Sequence, residues 1–269
     1  MTASEHDRQP SNGSVVRGLW VALSMYSTMP VPLVEFTPAN MRWAMVWFPL
    51  VGAITGGILW GFAYLAMYLG LNQIVFAGLA LCISFFISGG IHLDGFCDAA
   101  DAIGSRRSAE EQLRIMKDPH AGPFAIMMLA FLLISQCAFY TQFYGSTNWR
   151  LWASLLLGLM YERALSGLSI VLFPKARQDG LAKLFGDPTT KAVARTLLIV
   201  TLVLIGGLIA VGLWVGLAMI IFAGLWFGQY YRFTKKRYGG VTGDLAGFFL
   251  TIAEWIMLLI LAVGTGLGW

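Results

Sequence analysis

The sequence predicts an all-α fold: a polytopic integral membrane helical bundle of about seven transmembrane helices, preceded by an N-terminal interfacial helix. Hydrophobic residues make up 58% of the 269 residues and charged residues only 12%, against about 45–50% and about 25% in soluble globular domains. So little charge cannot cover the surface of a water-soluble fold of this length. The 18 phenylalanines exclude an intrinsically disordered chain, which needs few aromatic residues and much charge.

Seven apolar stretches are long enough to be membrane spans, because a helix crosses the bilayer core with roughly 20 residues. They run over 43–69, 73–91, 123–144, 151–173, 196–211, 213–231 and 245–267. The apolar run from Leu197 to Tyr230 is too long for one helix, and its glycines allow a turn inside it. Upstream, Val15–Met29 is amphipathic and ends at the extended Pro30-Val31-Pro32, which favours an interfacial helix.

Basic residues predict the orientation of these spans. With the N-terminus inside, the cytoplasmic segments 1–42, 92–122, 174–195 and 232–244 hold 16 of the 18 Lys and Arg residues. This positive-inside pattern predicts a multi-pass protein of a prokaryotic plasma membrane, with the N-terminus and the polar loops in the cytoplasm. It also explains the net charge of +4, so the lipid bilayer is an expected partner and nucleic acid is not.

Nothing in the sequence divides the chain, so residues 1–269 are predicted to form a single membrane-embedded domain. The first 14 residues lack the basic-then-apolar layout of a cleavable signal. The three cysteines lack C-x-x-C spacing, so neither a zinc site nor a disulfide framework is expected. The oligomeric state stays open, a homo-oligomer included.

Three aspartates at the cytoplasmic end of the second predicted span are the strongest chemical signal. Asp94, Asp98 and Asp101 are spaced i, i+4 and i+7, which places them within about 60° of one another on one helical face. Like charges so close together repel unless a cation lies among them. Carboxylates together with substrate phosphates are typical Mg²⁺ ligands, so these three residues are predicted metal ligands. A solvated acidic face at the membrane border is the alternative.

Basic side chains follow the aspartates in the same loop. Gly104-Ser105 ends the first helix, and Ser108-x-x-Glu111 predicts a capped helix over Ala109–Lys117. The candidate phosphate-binding residues of this segment are Arg106, Arg107, Arg114 and Lys117. Metal-binding carboxylates beside cations are what phosphoryl transfer requires. Ordinary positive-inside charge is the alternative for the basic residues.

Three further residues of this region are candidates for chemistry. Asp118 is the predicted general base, because it stands apart from the aspartates that should hold metal. His92 is the second catalytic candidate, with metal ligation or a hydrogen bond at the helix border as alternatives. His120 is a candidate contact of phosphate or of a nucleotide.

A glycine-rich turn precedes the last predicted span. It reads Gly239-Gly240-Val241-Thr242-Gly243-Asp244 and exposes backbone N–H groups that can bind an anion. Thr242, Gly243 and Asp244 are therefore candidate substrate-binding residues. Because the turn lies on the same membrane face as the aspartates, it is predicted to form a second wall of one site.

Two charged residues are predicted inside the membrane. Arg163 and Glu254 each lie about ten residues from the cytoplasmic end of a span, which is roughly 15 Å deep at 1.5 Å per residue. Charges in a bilayer usually pair inside the bundle, so an Arg163–Glu254 pair is predicted, with Glu162 as the competing partner. Its role is either structural or in substrate contact.

These motifs, in this order, resemble the cobalamin synthase family, also called adenosylcobinamide-GDP ribazoletransferase. The resemblance extends over nearly the whole chain. It is carried by Pro30-Val31-Pro32, His92-Leu93-Asp94-Gly95 with Asp98 and Asp101, Ile115-Met116-Lys117-Asp118 with Gly122, Arg163, and Gly239-Gly240-Val241-Thr242-Gly243-Asp244 with Glu254.

The resemblance implies a reaction and its requirements. A hydroxyl of α-ribazole, or of its 5′-phosphate, attacks the corrinoid-bearing phosphorus of adenosylcobinamide-GDP. GMP leaves, the nucleotide loop of the B12 coenzyme is completed, and Mg²⁺ is the cofactor. The expected partners are these two small-molecule substrates.

Three other functions share features of this sequence. A membrane CDP-alcohol phosphotransferase also uses an Asp-rich helix end, but its usual Asp-Gly-x-x-Ala-Arg run is absent here, where Asp94-Gly95 is followed by Phe-Cys-Asp-Ala-Ala. A membrane prenyltransferase usually carries two Asp-x-x-x-Asp motifs, and only Asp94 and Asp98 qualify. A cation transporter should hold its carboxylates near the bilayer midplane, whereas these lie at the cytoplasmic border.

Overall fold

The structure is a computed structural model, and it describes residues 15–176 and 189–269. Every regular element within these residues is a helix. In chain order they are α1 (Val15–Tyr26), α2 (Pro38–Tyr68), α3 (Gln73–Ser88), α4 (Ile91–Gly104), α5 (Ala109–Ile115), α6 (Pro123–Thr141), α7 (Trp149–Leu172), α8 (Thr189–Tyr238) and α9 (Gly243–Gly266). The predictions for residues 1–14 and for part of the loop 174–195 lie outside the described residues.

The all-α membrane fold is confirmed, with a different division into spans. Five of the described helices are long and apolar enough to cross a membrane, namely α2, α6, α7, α8 and α9, and the bent pair α3–α4 brings the number to six. The predicted spans 196–211 and 213–231 both fall within α8. The seventh predicted span therefore depends on how α8 is divided.

α8 is broken in its middle. It has 50 residues, about 75 Å at 1.5 Å per residue, which is more than twice the thickness of a bilayer core. Leu213 has non-helical angles of φ 51° and ψ −129°, and Gly216 packs against the carbonyl group of Leu208. Residues eight apart in a straight helix are separated by about 12 Å, so the chain turns back at Leu213. The two arms of α8 correspond to the two predicted spans.

α7 is the central helix of the bundle. It packs against α2, α8 and α9, and it is buried over most of its length. Gly52 and Gly56 of α2 face it, and a Cβ at Gly56 would lie 2.6 Å from the Cα of Leu156. Two glycines four residues apart let membrane helices approach backbone to backbone. This contact holds the middle of α2 against the core.

The N-terminal helix packs on the first half of α2. Val21 and Ala22 of α1 and Ala44 of α2 are buried in one small cluster. Gly18 permits the close approach, since a Cβ there would lie 2.5 Å from the Cβ of Trp43. The helix predicted over Val15–Met29 is therefore present, and its interfacial position remains a prediction.

The aspartate segment is not a continuation of the second span. α3 and α4 are separate helices that meet at an angle of 95°. Gly89 and Gly90 join them with φ values of 63° and 75°, a left-handed conformation that residues with a Cβ rarely adopt. The predicted span 73–91 is thus corrected: α3 ends at Ser88, and α4 turns away from its axis.

Candidate active site

α4 crosses the start of α9 at a glycine contact. A Cβ added at Gly95 would lie 2.9 Å from the carbonyl oxygen of Asp244, and one added at Gly247 would lie 3.1 Å from that of His92. Thr251 donates a hydrogen bond from its hydroxyl group to the same His92 carbonyl, at 3.2 Å. Two motifs about 150 residues apart in the sequence are therefore in contact, as their predicted position on one membrane face requires.

Four aspartates from the two helices influence one another electrostatically. Partial burial, followed by the negative charges of Asp94, Asp244 and Asp101 in that order of importance, raises the pKa of Asp98 to about 6. Asp94 is exposed, while Asp98 and Asp244 are half-buried. The mutual repulsion of these carboxylates therefore favours a bound cation.

The donor set suits Mg²⁺ without forming a closed metal cage. Within the described ranges, no group of three His, Cys, Asp or Glu side chains is close enough to hold a metal ion. Mg²⁺ usually takes one or two carboxylates and completes its shell with water and substrate phosphate. Asp94 and Asp98 fit that requirement, and the assignment of Asp94, Asp98 and Asp101 as metal ligands remains a prediction.

Asp101 has a structural function that its spacing did not predict. Its two carboxylate oxygens accept hydrogen bonds from the backbone N–H groups of Gly122, at 2.5 Å, and of Ala125, at 2.8 Å. These groups lie in the first turn of α6 and have no partner within that helix. Asp101 thus caps α6 from α4, and it does so in place of an N-cap side chain, because the N-cap residue is Gly122.

Two cavities of unequal size meet at the N-terminus of α4. The larger has a volume of about 960 Å³ and the smaller about 300 Å³. Both are lined by Ile91, His92 and Asp94. Asp98 lines the larger cavity, whereas Asp244 lines the smaller one. Ligand sites usually occupy about 300–1,000 Å³, so both volumes lie within the range of binding pockets.

His92 is buried at the boundary between the cavities. Its exposed fraction is 9%, and within the described chain its Nε2 atom is buried without a hydrogen-bond partner. The ring centroid lies 5.4 Å from that of Phe48 and 6.1 Å from that of Tyr26. Burial, with a smaller contribution from the charge of Arg163, lowers the pKa of His92 to about 3. A neutral imidazole of this kind is a weak base, and it can still form a hydrogen bond.

Asp118 and His120 form a pair in the loop between α5 and α6. His120 Nδ1 lies 2.7 Å from Asp118 Oδ1, and the backbone N–H of His120 donates to the same oxygen at 3.0 Å. These two hydrogen bonds lower the pKa of Asp118. Both side chains are exposed, while the flanking Pro119 and Ala121 line the larger cavity. The pair therefore lies beside the mouth of that cavity.

The predicted phosphate-binding cations of the aspartate loop are at the surface. Arg106, Arg107, Arg114 and Lys117 are exposed, and none of them lines either cavity. Arg114 interacts with Glu111 at 3.6 Å. The predicted α5 cap is present, since Ser108 accepts a hydrogen bond from the Glu111 backbone N–H at 3.3 Å. Phosphate binding by these residues stays a prediction.

A buried glutamine anchors this loop to the end of α8. Gln112 Oε1 accepts hydrogen bonds from Arg237 Nε at 3.1 Å and from the Tyr238 hydroxyl group at 2.9 Å. Arg237 also donates to the backbone carbonyl of Arg107 at 2.5 Å. A single glutamine in a seven-residue helix gave no signal in the sequence, so this contact was missed.

The glycine-rich turn before α9 is fixed by backbone pairing. The Val241 N–H donates to the Pro174 carbonyl at 2.8 Å, and Gly240 packs directly against the same carbonyl group. Thr242 caps α9 by accepting a hydrogen bond from the Leu245 N–H at 3.2 Å. Gly243 and Asp244 line the smaller cavity, whereas Thr242 does not.

The buried arginine has a different direct partner from the one predicted. Arg163 donates to Glu162 Oε1 at 2.6 Å and to the Leu159 carbonyl at 2.9 Å, and the Arg163 and Glu162 side chains are 2% and 0% exposed. Glu254 is close enough to attract Arg163 electrostatically. The prediction of an Arg163–Glu254 pair is therefore corrected to Arg163–Glu162, because the neighbouring side chain on α7 reaches the guanidinium group directly.

Arg163 and Glu254 are nevertheless parts of one site. Both line the deep end of the larger cavity, together with Gln136 and Thr251. The larger cavity thus extends from the exposed Asp94 to charged groups that lie well inside the bundle. A cavity with a polar entrance, apolar walls and a polar floor suits a bulky amphipathic ligand.

Sequence comparison identifies relatives over almost the whole chain. The sequence model of the family described as Cobalamin-5-phosphate synthase matches residues 18–262. A relative named adenosylcobinamide-GDP ribazoletransferase from Lachnoclostridium phytofermentans is 35% identical, over 93% of this chain and 95% of its own length. Proteins of the same name from Pseudomonas syringae pv. syringae and Pseudomonas fluorescens are 32% and 34% identical, each over 91% of this chain and 98% of the relative. No solved structure is significantly similar to the chain.

Proposed function

The chain belongs to the Cobalamin-5-phosphate synthase family, and on that basis we propose that it joins α-ribazole, or its 5′-phosphate, to adenosylcobinamide-GDP with release of GMP. It is a transferase of cobalamin biosynthesis. The name of its relatives, adenosylcobinamide-GDP ribazoletransferase, supplies the two substrates, adenosylcobinamide-GDP and a ribazole.

The observation that carries this proposal is the contact between α4 and α9. It brings Asp94, Asp98 and Asp244 to adjoining walls of two cavities that share His92. A transferase with two substrates needs two binding sites that open onto one reacting centre. Ligands in these two cavities would be in contact at the wall that both cavities share.

The mutual effect of the aspartates supports Mg²⁺ as the cofactor. Asp94 and Asp98 would hold the ion, and Asp244 would add negative charge from the opposite helix. An Mg²⁺ ion held there would neutralise the charge of a pyrophosphate and stabilise the charge that develops in the transition state. Its positive charge would also offset the repulsion from neighbouring carboxylates, which adds to burial in raising the pKa of Asp98 to about 6.

The proton of the attacking hydroxyl group is assigned to the Asp118–His120 pair. A carboxylate that holds Nδ1 of an imidazole fixes its tautomer and leaves Nε2 to accept a proton. His92 is the less suitable base, since burial lowers its pKa to about 3. We assign His92 to binding, through the unpartnered Nε2 atom.

The membrane orientation belongs to the same proposal. The Asp94 face, the Asp118–His120 pair and the basic end of α8 are all parts of segments whose Lys and Arg residues favour the cytoplasmic side. The active site is therefore assigned to the cytoplasmic face of a prokaryotic plasma membrane. Water-soluble nucleotides would reach it from there.

The test is GMP release by the purified protein in detergent with adenosylcobinamide-GDP, α-ribazole and Mg²⁺. We expect GMP and a corrinoid product in equal amounts, and loss of both without Mg²⁺. Asp94→Asn should lower kcat by about 10²-fold or more, in the range of removed electrostatic groups. Glu110→Gln, an exposed carboxylate on α5, is the matched control. Absence of GMP, together with turnover of a CDP-alcohol, would refute the proposal.

A further inference from the structure

The two cavities differ in size and in the chemistry of their walls, and that difference assigns the two substrates. The inference depends on the proposed function, because it places the substrates of that reaction. The larger cavity has about three times the volume of the smaller, 960 Å³ against 300 Å³. A corrinoid that carries a nucleoside diphosphate is much larger than a single nucleoside, so only one arrangement is compatible with both volumes.

The smaller cavity has walls suited to a flat aromatic ring. Tyr26 and Phe48 line it with their ring centroids 4.3 Å apart, and Met25 and Met45 complete its apolar side. Aromatic rings and thioether groups form favourable contacts with planar heterocycles. The base of α-ribazole is such a ring, and it carries no charge that these walls would leave unpaired.

A polar atom with no partner among the described residues lies in the wall that the two cavities share. His92 Nε2 is buried and, within the described residues, forms no hydrogen bond. An unsatisfied buried polar group costs free energy unless a ligand supplies the missing partner. A ribose hydroxyl group or a ring nitrogen of a nucleoside is a suitable partner, and no charged ligand is needed.

The larger cavity has different walls. It passes from Asp98 along Gly78 and Leu81 of α3 and Leu133 of α6. Its deep end holds Arg163 and Glu254. These walls suit a ligand that is partly apolar and carries amide groups. Its apolar sides would contact the helices, and its amide groups would form hydrogen bonds with Arg163 and Glu254. The corrinoid, which carries amide groups around its ring, has this chemistry.

We propose that the smaller cavity binds α-ribazole against Tyr26 and Phe48, that the larger cavity binds the corrinoid of adenosylcobinamide-GDP, and that they react at the wall formed by His92 and Asp94. At that wall an O–P bond forms between the ribazole hydroxyl oxygen and the phosphorus that bears the corrinoid. The bond from this phosphorus to the oxygen of GMP breaks, and GMP leaves with the electron pair. The hydroxyl proton passes to the general base.

The test measures KM separately for each substrate in two variants. Phe48→Leu removes the aromatic wall of the smaller cavity and keeps an apolar side chain. We expect its KM for α-ribazole to rise about fivefold or more, which matches the strength of aromatic contacts, with KM for adenosylcobinamide-GDP within twofold of the native value. A cooperative thermal unfolding transition in detergent shows that the variant is folded.

Gly78→Leu is the matched variant of the larger cavity. A Cβ at Gly78 would have no atom within 4 Å, so the leucine occupies cavity space without disturbing the helix packing. We expect KM for adenosylcobinamide-GDP to rise about tenfold, because an added side chain of this size displaces ligand atoms, with KM for α-ribazole unchanged. The opposite pattern in the two variants would overturn the assignment.

The outcomes separate this assignment from the proposed function. If the native protein releases GMP and both variants alter the KM of the same substrate, the substrate assignment is wrong and the proposed function stands. If the native protein releases no GMP from this substrate pair, the proposed function fails, and the assignment fails with it. If the native protein releases GMP, Phe48→Leu raises KM only for α-ribazole and Gly78→Leu raises KM only for adenosylcobinamide-GDP, both the function and the assignment are supported.

Discussion

Gly95 of α4 lies against Asp244 at the start of α9, and there is no room between them for a side chain. A Cβ at Gly95 would come within 2.9 Å of the Asp244 carbonyl oxygen and 3.0 Å of its Cα. Real Cβ atoms essentially never approach backbone atoms so closely. The contact joins the segment that contains Asp94 and Asp98 to the segment that contains Asp244.

We predict that Gly95→Ala lowers activity strongly while the protein still inserts and folds. Overpacking of a tight contact costs about 1–3 kcal/mol, and relief of the clash must move α4 away from α9. GMP release should fall by at least tenfold, because misplacement of catalytic groups by about 1 Å costs up to about 10²-fold. Thermal unfolding in detergent should show a modest decrease in Tm.

Gly61→Ala in α2 is the control for this substitution. A Cβ at Gly61 would meet no atom within 4 Å, and alanine favours a helix by about 1 kcal/mol over glycine. Activity and Tm of this variant should be native or higher. Native activity of Gly95→Ala would show that the α4–α9 contact does not position the site.

We predict that substitution of Asp101 mainly lowers stability, whereas substitution of Asp98 mainly lowers activity. Asp101→Ala deletes the cap of α6, formed by the Gly122 and Ala125 N–H groups. Loss of a cap typically costs about 0.5–2 kcal/mol, so Tm should fall. Asp98→Asn keeps the shape of the side chain and removes its charge, so it should lower kcat by about 10²-fold or more at nearly native Tm.

Asp101→Asn refines the comparison between the two aspartates. Its amide oxygen can still accept one of the two hydrogen bonds, so it should recover part of the lost Tm. Measurement of Tm and GMP release on the same preparations separates the two functions. If Asp101→Ala keeps native Tm and loses all activity, Asp101 is a metal ligand as its spacing predicted, and the cap is unimportant.

Most of the helices could be predicted from the sequence, because apolar length alone determines which segments enter a membrane. The predicted stretches 123–144 and 151–173 correspond to α6 and α7 within a few residues. The bend between α3 and α4 was not predicted. Gly89-Gly90 was present in the sequence, but glycine is common in membrane helices, and only the positive φ values show that the helix stops there.

The sequence predicts which segments form the site, but it does not predict what each residue in those segments does. The spacing of Asp94, Asp98 and Asp101 gives a common helical face, and this spacing cannot show that backbone N–H groups of α6 occupy one of the three carboxylates. The aromatic residues Tyr26 and Phe48 were missed for a related reason. In a chain with 18 Phe and 9 Tyr, an aromatic residue beside a cavity cannot be distinguished from one in the core.

The pH dependence of activity should depend on Mg²⁺. The pKa of Asp98 is about 6, above its ordinary value, so its carboxylate form is lost as pH falls through 6 and activity at low Mg²⁺ should fall with it. Bound Mg²⁺ favours the charged form and lowers that pKa. The acidic limb of kcat/KM should therefore shift to lower pH as Mg²⁺ is raised, measured as GMP release from pH 5 to pH 8.

The raised pKa of Asp98 also makes the stability of the protein depend on pH. Because the folded-state pKa of Asp98 exceeds its unfolded value, protonation favours the folded state. The contribution of Asp98 to stability is complete below about pH 4 and is lost as pH rises through 6. Added Mg²⁺ should raise Tm more at pH 7 than at pH 5. An acidic limb that does not move with Mg²⁺ would contradict the placement of the ion beside Asp98.

The last prediction concerns the ion pair of Arg163 and Glu162. Removal of one partner of a buried pair leaves an uncompensated charge and typically costs 3–5 kcal/mol, so Arg163→Met should lower Tm strongly in detergent.

A double-mutant cycle isolates the coupling between two side chains. Glu162→Gln should recover much of the loss in the Arg163→Met background, since Glu162 is in direct contact at 2.6 Å. Glu254→Gln should recover less, because Glu254 acts on Arg163 without an ion pair among the described residues and lines the larger cavity. Equal recovery by both substitutions would show that Arg163 is shared between the two glutamates, and greater recovery by Glu254→Gln would restore the pairing that depth in the membrane predicted.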